Sequence, residues 1–203
     1  MIKLSCDRKI MGVKGEKNSL GIPAITTCPD ATDLCKLVCY ANTGFFRMDQ
    51  AKNMYEQNKQ SLDFFLKIGV QSAAKLFAAE VIKHNKSGIF RWNIGGDLYS
   101  DRYFRMICAV ARLTPTITHW LYTRSFKLLL SNKWDIVGYK DKKKFSLVPE
   151  NLKVNLSYDA LNYDTTFNYD AHYYGHMTEV NTIELPGRLD DFIFSITWLG
   201  NNI

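Results

Sequence analysis

The residues with the clearest capacity for chemistry are three cysteines near the start of the chain. Cys28, Cys35 and Cys39 fall within twelve residues, whereas the rest of the 203-residue sequence holds only two more cysteines. In a reducing compartment, clustered cysteines serve more often as metal ligands or redox groups than as disulfides. The segment 26–41, TTCPDATDLCKLVCYA, also contains proline and aspartate residues that suit a tight loop. It therefore predicts a metal-binding loop.

Two inorganic centres suit such a loop. Structural zinc takes four ligands, usually from paired C-x2-C sequences, but here six and then three residues separate the cysteines. A fourth zinc ligand would come from Cys6 or from the H-x3-H pair, His172 and His176. Thiolates of one loop also suit a [4Fe–4S] cluster, whose fourth iron is held by a remote residue or left open to a ligand. We favour the cluster.

The third interpretation is that the thiols are inert and buried. Three cysteines inside twelve residues argue against a chance grouping. Tyr40, directly after the third cysteine, is placed to shield one face of a cluster. By contrast, the position of Cys108 among Met106, Ile107 and Val110 predicts an ordinary core residue.

Composition sets the class of protein. A length of 203 residues predicts a single α/β domain over 1–203 that buries a core without disulfide support. Charged residues in the first ten positions interrupt any leading apolar run, and no apolar stretch reaches about 20 residues. We therefore expect no secretory signal, no membrane span and a cytoplasmic location. The net charge of +6 permits a polyanionic partner without requiring one.

Hydrophobic periodicity predicts helices that alternate with strands. The predicted helical stretches are 47–66, 69–84, 101–113 and 125–131. The predicted strands are 89–94, 117–123, 152–158 and 191–199, with one more near 177–183 inside a polar loop over 160–190. Ser100 or Asp101 would cap the third helix. This order predicts an α/β fold, either a partial (β/α) barrel or an open, mostly parallel sheet with flanking helices.

Three polar segments each follow a predicted strand. They are Gly95-Gly96-Asp97, Thr123-Arg124-Ser125 and Ser157-Tyr158-Asp159. The carboxyl ends of parallel strands meet at one edge of a sheet, where ligands bind in such folds. We therefore expect these segments to share one rim with the cysteine loop. The alternative is that they are ordinary turns at the ends of strands, which favour Gly, Ser and Asp anyway.

Two charged residues of this rim have competing roles. Arg124 is suited to bidentate pairing with a carboxylate or phosphate, or else is a structural partner of Asp97 or Asp159. Asp97 is suited to accept an amine or another cation, or else serves a turn or a helix cap.

The order of these motifs resembles a phage family known as gene product 88. The resembling stretches are TCP, C and CYA of the cysteine loop, then RWNIGGDLYSDRYF, WLYTRS and NLSYDA, and they span roughly residues 15–160. The resemblance implies a bacteriophage protein in the cytoplasm of the host cell, but it implies no activity. Members often carry a further cysteine-rich tail, which this sequence lacks.

A more distant resemblance concerns mechanism. A three-cysteine loop followed by a strand ending in GGD is similar to radical S-adenosylmethionine enzymes, which are partial barrels. It implies that Cys28, Cys35 and Cys39 bind the cluster. It also implies that Gly95, Gly96 and Asp97 contact the amino group of S-adenosylmethionine. The usual spacing in that superfamily is three then two residues, so the sequence departs from the pattern and leaves catalysis open. Arg124 and Ser157, at the next strand ends, complete the predicted cofactor site.

Two functions from different classes follow. One is an iron–sulfur enzyme of the radical S-adenosylmethionine type. The other is a non-catalytic protein, stabilised by zinc or a cluster, that binds nucleic acid or a host protein. Candidate phosphate contacts lie in Lys140-Asp141-Lys142-Lys143-Lys144, which is otherwise a solvated loop. Candidate base-stacking residues, which core packing explains about as well, are Tyr163, Phe167, Tyr169, Tyr173 and Tyr174.

Overall fold

The computed structural model describes residues 2–7, 10, 13–131, 148–158 and 194–196. The helices are α1 (Asp33–Leu37), α2 (Asp49–Ile68), α3 (Val70–His84), α4 (Asp101–Leu113) and α5 (Phe126–Ser131). Two short 3₁₀ turns, Tyr40–Asn42 and Gly44–Arg47, lie between α1 and α2. The strands are β1 (Ile89–Arg91), β2 (Thr118–Thr123), β3 (Leu152–Tyr158) and β4 (Phe194–Ile196).

The described strands form one open sheet in the order β1-β2-β3-β4. β1, β2 and β3 are parallel, with Phe90 opposite His119 and Leu121 opposite Val154. β4 is antiparallel to β3. The expectation of an α/β fold with an open, mostly parallel sheet is confirmed, whereas the described strands do not show a partial barrel.

The edge of β1 is covered by a segment that periodicity did not reveal. Residues 18–20 run parallel to β1, since the Arg91 N–H donates to Asn18 O and the Leu20 N–H donates to Arg91 O, at 2.8 and 3.0 Å. Asn58, buried in α2, donates to the carbonyls of Gly21 and Lys3 and so fixes the same segment to the helix layer. The N-terminal part of the chain is therefore built into the sheet.

Most of the predicted elements lie where the periodicity placed them. The helix over 101–113 is confirmed, and the Ser100 Oγ atom caps it by accepting from the Tyr103 N–H at 3.2 Å. The strand predicted over 89–94 is shorter, because the backbone turns at Asn93, which has a φ of 54°. The strand predicted over 191–199 contains β4. The loop over 160–190, with its strand near 177–183, lies outside the described residues.

The helices bury apolar faces against the sheet. On α3, Phe77 stacks on Trp92 with ring centroids 4.7 Å apart and meets Phe90 edge to face at 6.1 Å. These rings are almost completely buried, as is Tyr103 of α4. Such aromatic burial supplies much of the hydrophobic stabilisation of a domain this size. None of the helices in the described part of the chain has the length and apolar character that a membrane crossing requires.

A buried histidine continues this aromatic core. The Trp92 indole N–H donates to His119 Nδ1 at 3.1 Å, so His119 carries its proton on Nε2. Nε2 lies 2.7 Å from Thr114 Oγ1, and that hydroxyl donates to the Val110 carbonyl at 2.8 Å. Both nitrogens of the neutral imidazole ring therefore have hydrogen-bond partners. Burial lowers the pKa of His119 from 6.5 to about 4.

The lowered pKa of His119 predicts acid sensitivity. Its contribution to the free energy of unfolding is complete above the unfolded pKa of 6.5 and is lost as the pH falls towards about 4. Between pH 7 and pH 5 we expect this group to remove about 2 kcal/mol. Urea denaturation at both pH values measures the loss. His119→Gln should abolish that share, whereas His84→Gln, on the partly exposed end of α3, should retain it. An unchanged pH dependence in His119→Gln would contradict the assignment.

Candidate metal centre

The cysteine loop and the ends of three strands surround one cavity. Its volume is about 110 Å³, several times the roughly 10–15 Å³ that one water molecule needs. The cysteines in its wall are Cys28, Cys35 and Cys39. The strand-end residues in its wall are Asn93, Gly96, Asp97, Thr123, Arg124 and Ser157. The rim expected from the sequence is therefore present in the fold.

Three contacts hold the cysteine loop against the strand ends. The Tyr40 hydroxyl donates to the Ile94 carbonyl at 2.8 Å, just after β1. Thr27 Oγ1 accepts from the Asp97 N–H at 3.4 Å. Asp30 Oδ2 accepts from the Lys127 N–H at 2.9 Å, in the first turn of α5. The loop thus contacts the ends of both β1 and β2, which places its thiols beside the sheet.

Local structure explains the unusual cysteine spacing. A tight loop was predicted over 26–41, but its centre is the helix α1, which begins after Thr32. Thr32 Oγ1 accepts from the Cys35 N–H at 3.0 Å and caps the helix. Cys35 lies within α1 and Cys39 follows its end, and both line the same cavity. Cys28 lies in the turn before α1, where its carbonyl accepts from the Ala31 N–H.

The Cys28 thiol lies in a setting that opposes negative charge. Burial, first of all, and the nearby Asp97 carboxylate, Cys35 and Cys39 together raise the pKa of Cys28 to about 12. Cys28 therefore stays protonated at neutral pH. A metal that binds Cys28 displaces this proton, so metal binding there is coupled to proton release.

Asp97 joins the end of β1 to the end of β2. Its carboxylate is buried and accepts from the N–H groups of Leu98 at 2.6 Å and Arg124 at 2.8 Å. The Thr123 hydroxyl also bonds to it, while the Ser125 hydroxyl donates to the Leu98 carbonyl at 2.8 Å. Burial raises the pKa of Asp97 although these bonds act against the rise. These contacts match the structural alternative, in which Asp97 serves the turn at the end of β1. Arg124 is the partner of Asp97 through its main-chain N–H group. An amine or cation contact stays a prediction.

The two glycines before Asp97 allow close packing. Gly96 has a φ of 78°, and a Cβ atom there would collide with Thr27 Oγ1 and with Cγ1 of Ile22. Gly95 does not line the cavity, and a Cβ atom there would lie 3.2 Å from the Ile22 carbonyl oxygen. Both positions therefore let the segment before the cysteine loop approach the end of β1. The cofactor contact expected for them stays a prediction.

Sequence reasoning missed Asn93 as a residue of the cavity wall. Asn93 is 5% exposed, and its Oδ1 atom accepts from the Tyr103 hydroxyl at 2.8 Å. Its Nδ2 atom is buried and has no hydrogen-bond partner among the residues that the structure describes. The sequence signal for this role was a polar residue, Asn93, near the end of the apolar stretch 89–94 and just before Gly95-Gly96. Asn tolerates the left-handed conformation that the strand end requires.

The other candidate ligands are elsewhere or outside the described residues. Cys108 is buried in the core, as predicted, and Cys6 is exposed and does not line the cavity. Within the described ranges, no three His, Cys, Asp or Glu side chains are arranged to hold a single metal ion. The candidate ligands, phosphate contacts and stacking residues outside the described ranges are His172, His176, Asp159, Lys140–Lys144, Tyr163, Phe167, Tyr169, Tyr173 and Tyr174.

Comparison with known proteins supports the phage resemblance. The family described as Gene product 88 matches residues 6–190. The chain belongs to the Gene product 88 family. One relative is the Gene 88 protein of Mycobacterium phage L5, which is 28% identical over 139 residues. That alignment covers 61% of this chain and 58% of the relative, so the chain spans under two thirds of that protein. No solved structure matches the chain. The radical S-adenosylmethionine resemblance finds no support in these comparisons.

The packing at Gly96 makes a stability prediction. Gly96→Ala places an alanine in the left-handed region, which costs roughly 1–2 kcal/mol of stability. Its Cβ atom also collides with Thr27 and Ile22, which costs roughly 1–3 kcal/mol. Gly44→Ala is the matched control, because Gly44 has a φ of 50° but open space round a Cβ atom. We expect urea denaturation to show a loss of about 1–2 kcal/mol for the control and about 2–5 kcal/mol for Gly96→Ala. Equal losses would show that the approach of Ile22 and Thr27 does not depend on this glycine.

Proposed function

We propose that this phage-family protein binds a [4Fe–4S] cluster through Cys28, Cys35 and Cys39. The observation that supports the proposal is that the three thiols, which fall within twelve residues of the sequence, line one cavity at the ends of three parallel strands. Such strand ends are where folds of this class bind their ligands. The cavity is also large enough for more than a single ion.

The donor set of the cavity supports a cluster. Cysteine sulfurs are the usual ligands of iron–sulfur clusters, and three cysteines line this one cavity. Cys28 would lose its proton on binding, because its setting raises the pKa of its thiol.

The chain would contribute binding, orientation and exclusion of water. Cys28, Cys35 and Cys39 would hold the cluster, while Tyr40 and Tyr122 would cover the cavity wall. When bound, the cluster would supply an electron-transfer centre or an iron with an open position for a ligand. Ser157 of β3, which is 7% exposed, and Arg124, which directly follows β2, line the same wall.

Catalysis does not follow from this proposal. Binding of S-adenosylmethionine stays a prediction, and the structural contacts of the Asp97 carboxylate do not favour it as an amino-group acceptor. A nucleic-acid or host-protein partner also stays a prediction. Zinc remains the alternative centre, since its fourth ligand was expected from Cys6 or from histidines outside the described residues.

Cysteine variants test the proposal through bound iron. Protein purified without oxygen and reconstituted with ferrous iron and sulfide should lose most of its iron and sulfide when Cys28, Cys35 or Cys39 is replaced by Ala. Cys108→Ala and Cys6→Ala are the controls, since neither residue lines the cavity. They should keep the wild-type content, with circular dichroism confirming that every variant folds.

Two results would contradict the proposal. Full iron retention in Cys35→Ala would show that Cys35 is not a ligand of the cluster. A colourless wild-type protein holding about one zinc ion per chain and no sulfide would favour the alternative centre.

A further inference from the structure

The two walls of the cavity differ in how firmly they are packed. One wall belongs to residues 28–48, which we call the flap and which contribute the three cysteines. No residue from 28 to 50 is buried, whereas Thr27 before this stretch and Ala51 after it are 1% and 2% exposed. The flap is therefore bounded by the packed domain on both sides but has no core residue of its own.

The opposite wall belongs to the core of the domain. Its polar residues follow or end the parallel strands and are buried, namely Asn93, Asp97, Thr123, Arg124 and Ser157. Segments with few buried contacts open at a lower free energy than the core that supports them. Separation of the flap from the strand ends therefore costs less free energy than unfolding of the sheet.

The backbone is strained just before the flap. Ile25 has a φ of 68°. The left-handed region is an outlier for a β-branched residue, because the side chain crowds the backbone there. Such strain persists only where the surrounding structure holds it, and it is common at switch segments. The Cys28 N–H donates to the Ile25 carbonyl at 3.1 Å, so the strained residue is bonded directly to the first cysteine of the flap.

The Tyr40 side chain holds the flap against the sheet and the helix layer. Its hydroxyl donates to the Ile94 carbonyl at 2.8 Å. Its ring meets Phe46 edge to face with centroids 5.6 Å apart, and Phe46 lies 6.1 Å from the ring of Tyr55 in α2. These contacts stabilise the closed flap, whereas the strain at Ile25 opposes it.

We propose that the flap is a gate for the cavity, which hinges at Ile25 and is held closed by Tyr40. Opening moves the wall that carries the thiols away from the strand ends, while the sheet and its helices stay folded. A ligand of the thiols enters and leaves in this open state. The gate belongs to the cavity of the proposed function, but its opening does not depend on which centre binds there.

Alkylation of Cys28 by iodoacetamide measures the opening. The protein is kept reduced and free of metal by a chelator, and peptide mass spectrometry follows the labelling of Cys28 and Cys108 separately. Cys108 is buried in the core, so its labelling reports unfolding of the whole domain. We expect Cys28 of the wild-type protein to react about tenfold faster than Cys108, or more. Equal rates would overturn the gate, because Cys28 would then become accessible only when the domain unfolds.

Two variants should change the Cys28 rate in opposite directions. Tyr40→Phe keeps the ring but removes the hydroxyl bond of the closed flap, so we expect labelling about threefold to tenfold faster. Ile25→Asn replaces the strained residue by one that tolerates the left-handed region, so we expect labelling about threefold to tenfold slower. Tyr103→Phe is the matched control, because it removes a hydroxyl bond of the same 2.8 Å length, to Asn93, inside the core. Its Cys28 rate should equal that of the wild-type protein.

Three results would overturn the gate. They are an unchanged rate in Tyr40→Phe, an unchanged or faster rate in Ile25→Asn, and a faster rate in Tyr103→Phe, since the last would show that Cys28 reacts through unfolding of the core. None of these measurements uses iron. Failure of the wild-type protein to take up iron and sulfide would therefore overturn the proposed function alone.

Discussion

The cavity depends on one buried carboxylate that joins the ends of β1 and β2. Asp97 follows β1, and its oxygens accept main-chain N–H groups of Leu98 and Arg124. A hydrogen bond to a charged group contributes about 1.5–3 kcal/mol, and breaking a buried network leaves an uncompensated charge. The bond to Arg124 keeps the two strand ends together, so the wall opposite the cysteine loop has a defined shape.

The cysteine loop relies on the same strand ends. It has little core of its own, because α1 has no buried residue and its three cysteines are only partly buried. Tyr40, Thr27 and Asp30 supply its long-range contacts, and all three reach the segments that follow β1 and β2. A loop with few apolar contacts is ordered by such hydrogen bonds. A metal centre that binds only the folded loop would stabilise the folded state further, by mass action.

Local and periodic features of the sequence were the ones that predicted structure well. The apolar stripe and Ser100 cap placed α4, and the alternation of helices with strands predicted the parallel sheet and the polar rim. The pairing of residues 18–20 with β1 was missed because it depends on contacts distant in sequence. The five-residue α1 was missed because its only strong signal is the Thr32 cap. Asn93 was missed because its unpaired amide is visible only once Tyr103 is placed.

The central claim is that the cysteine loop holds a [4Fe–4S] cluster against the strand ends. The most direct measurement is Mössbauer spectroscopy on ⁵⁷Fe-enriched protein isolated without oxygen, combined with assays of iron and acid-labile sulfide. The account predicts about four iron and about four sulfide per chain, with a spectrum of paired valences. Protein that contains neither and takes up neither from ferrous iron and sulfide, while its Trp92–His119 core remains folded, would contradict it.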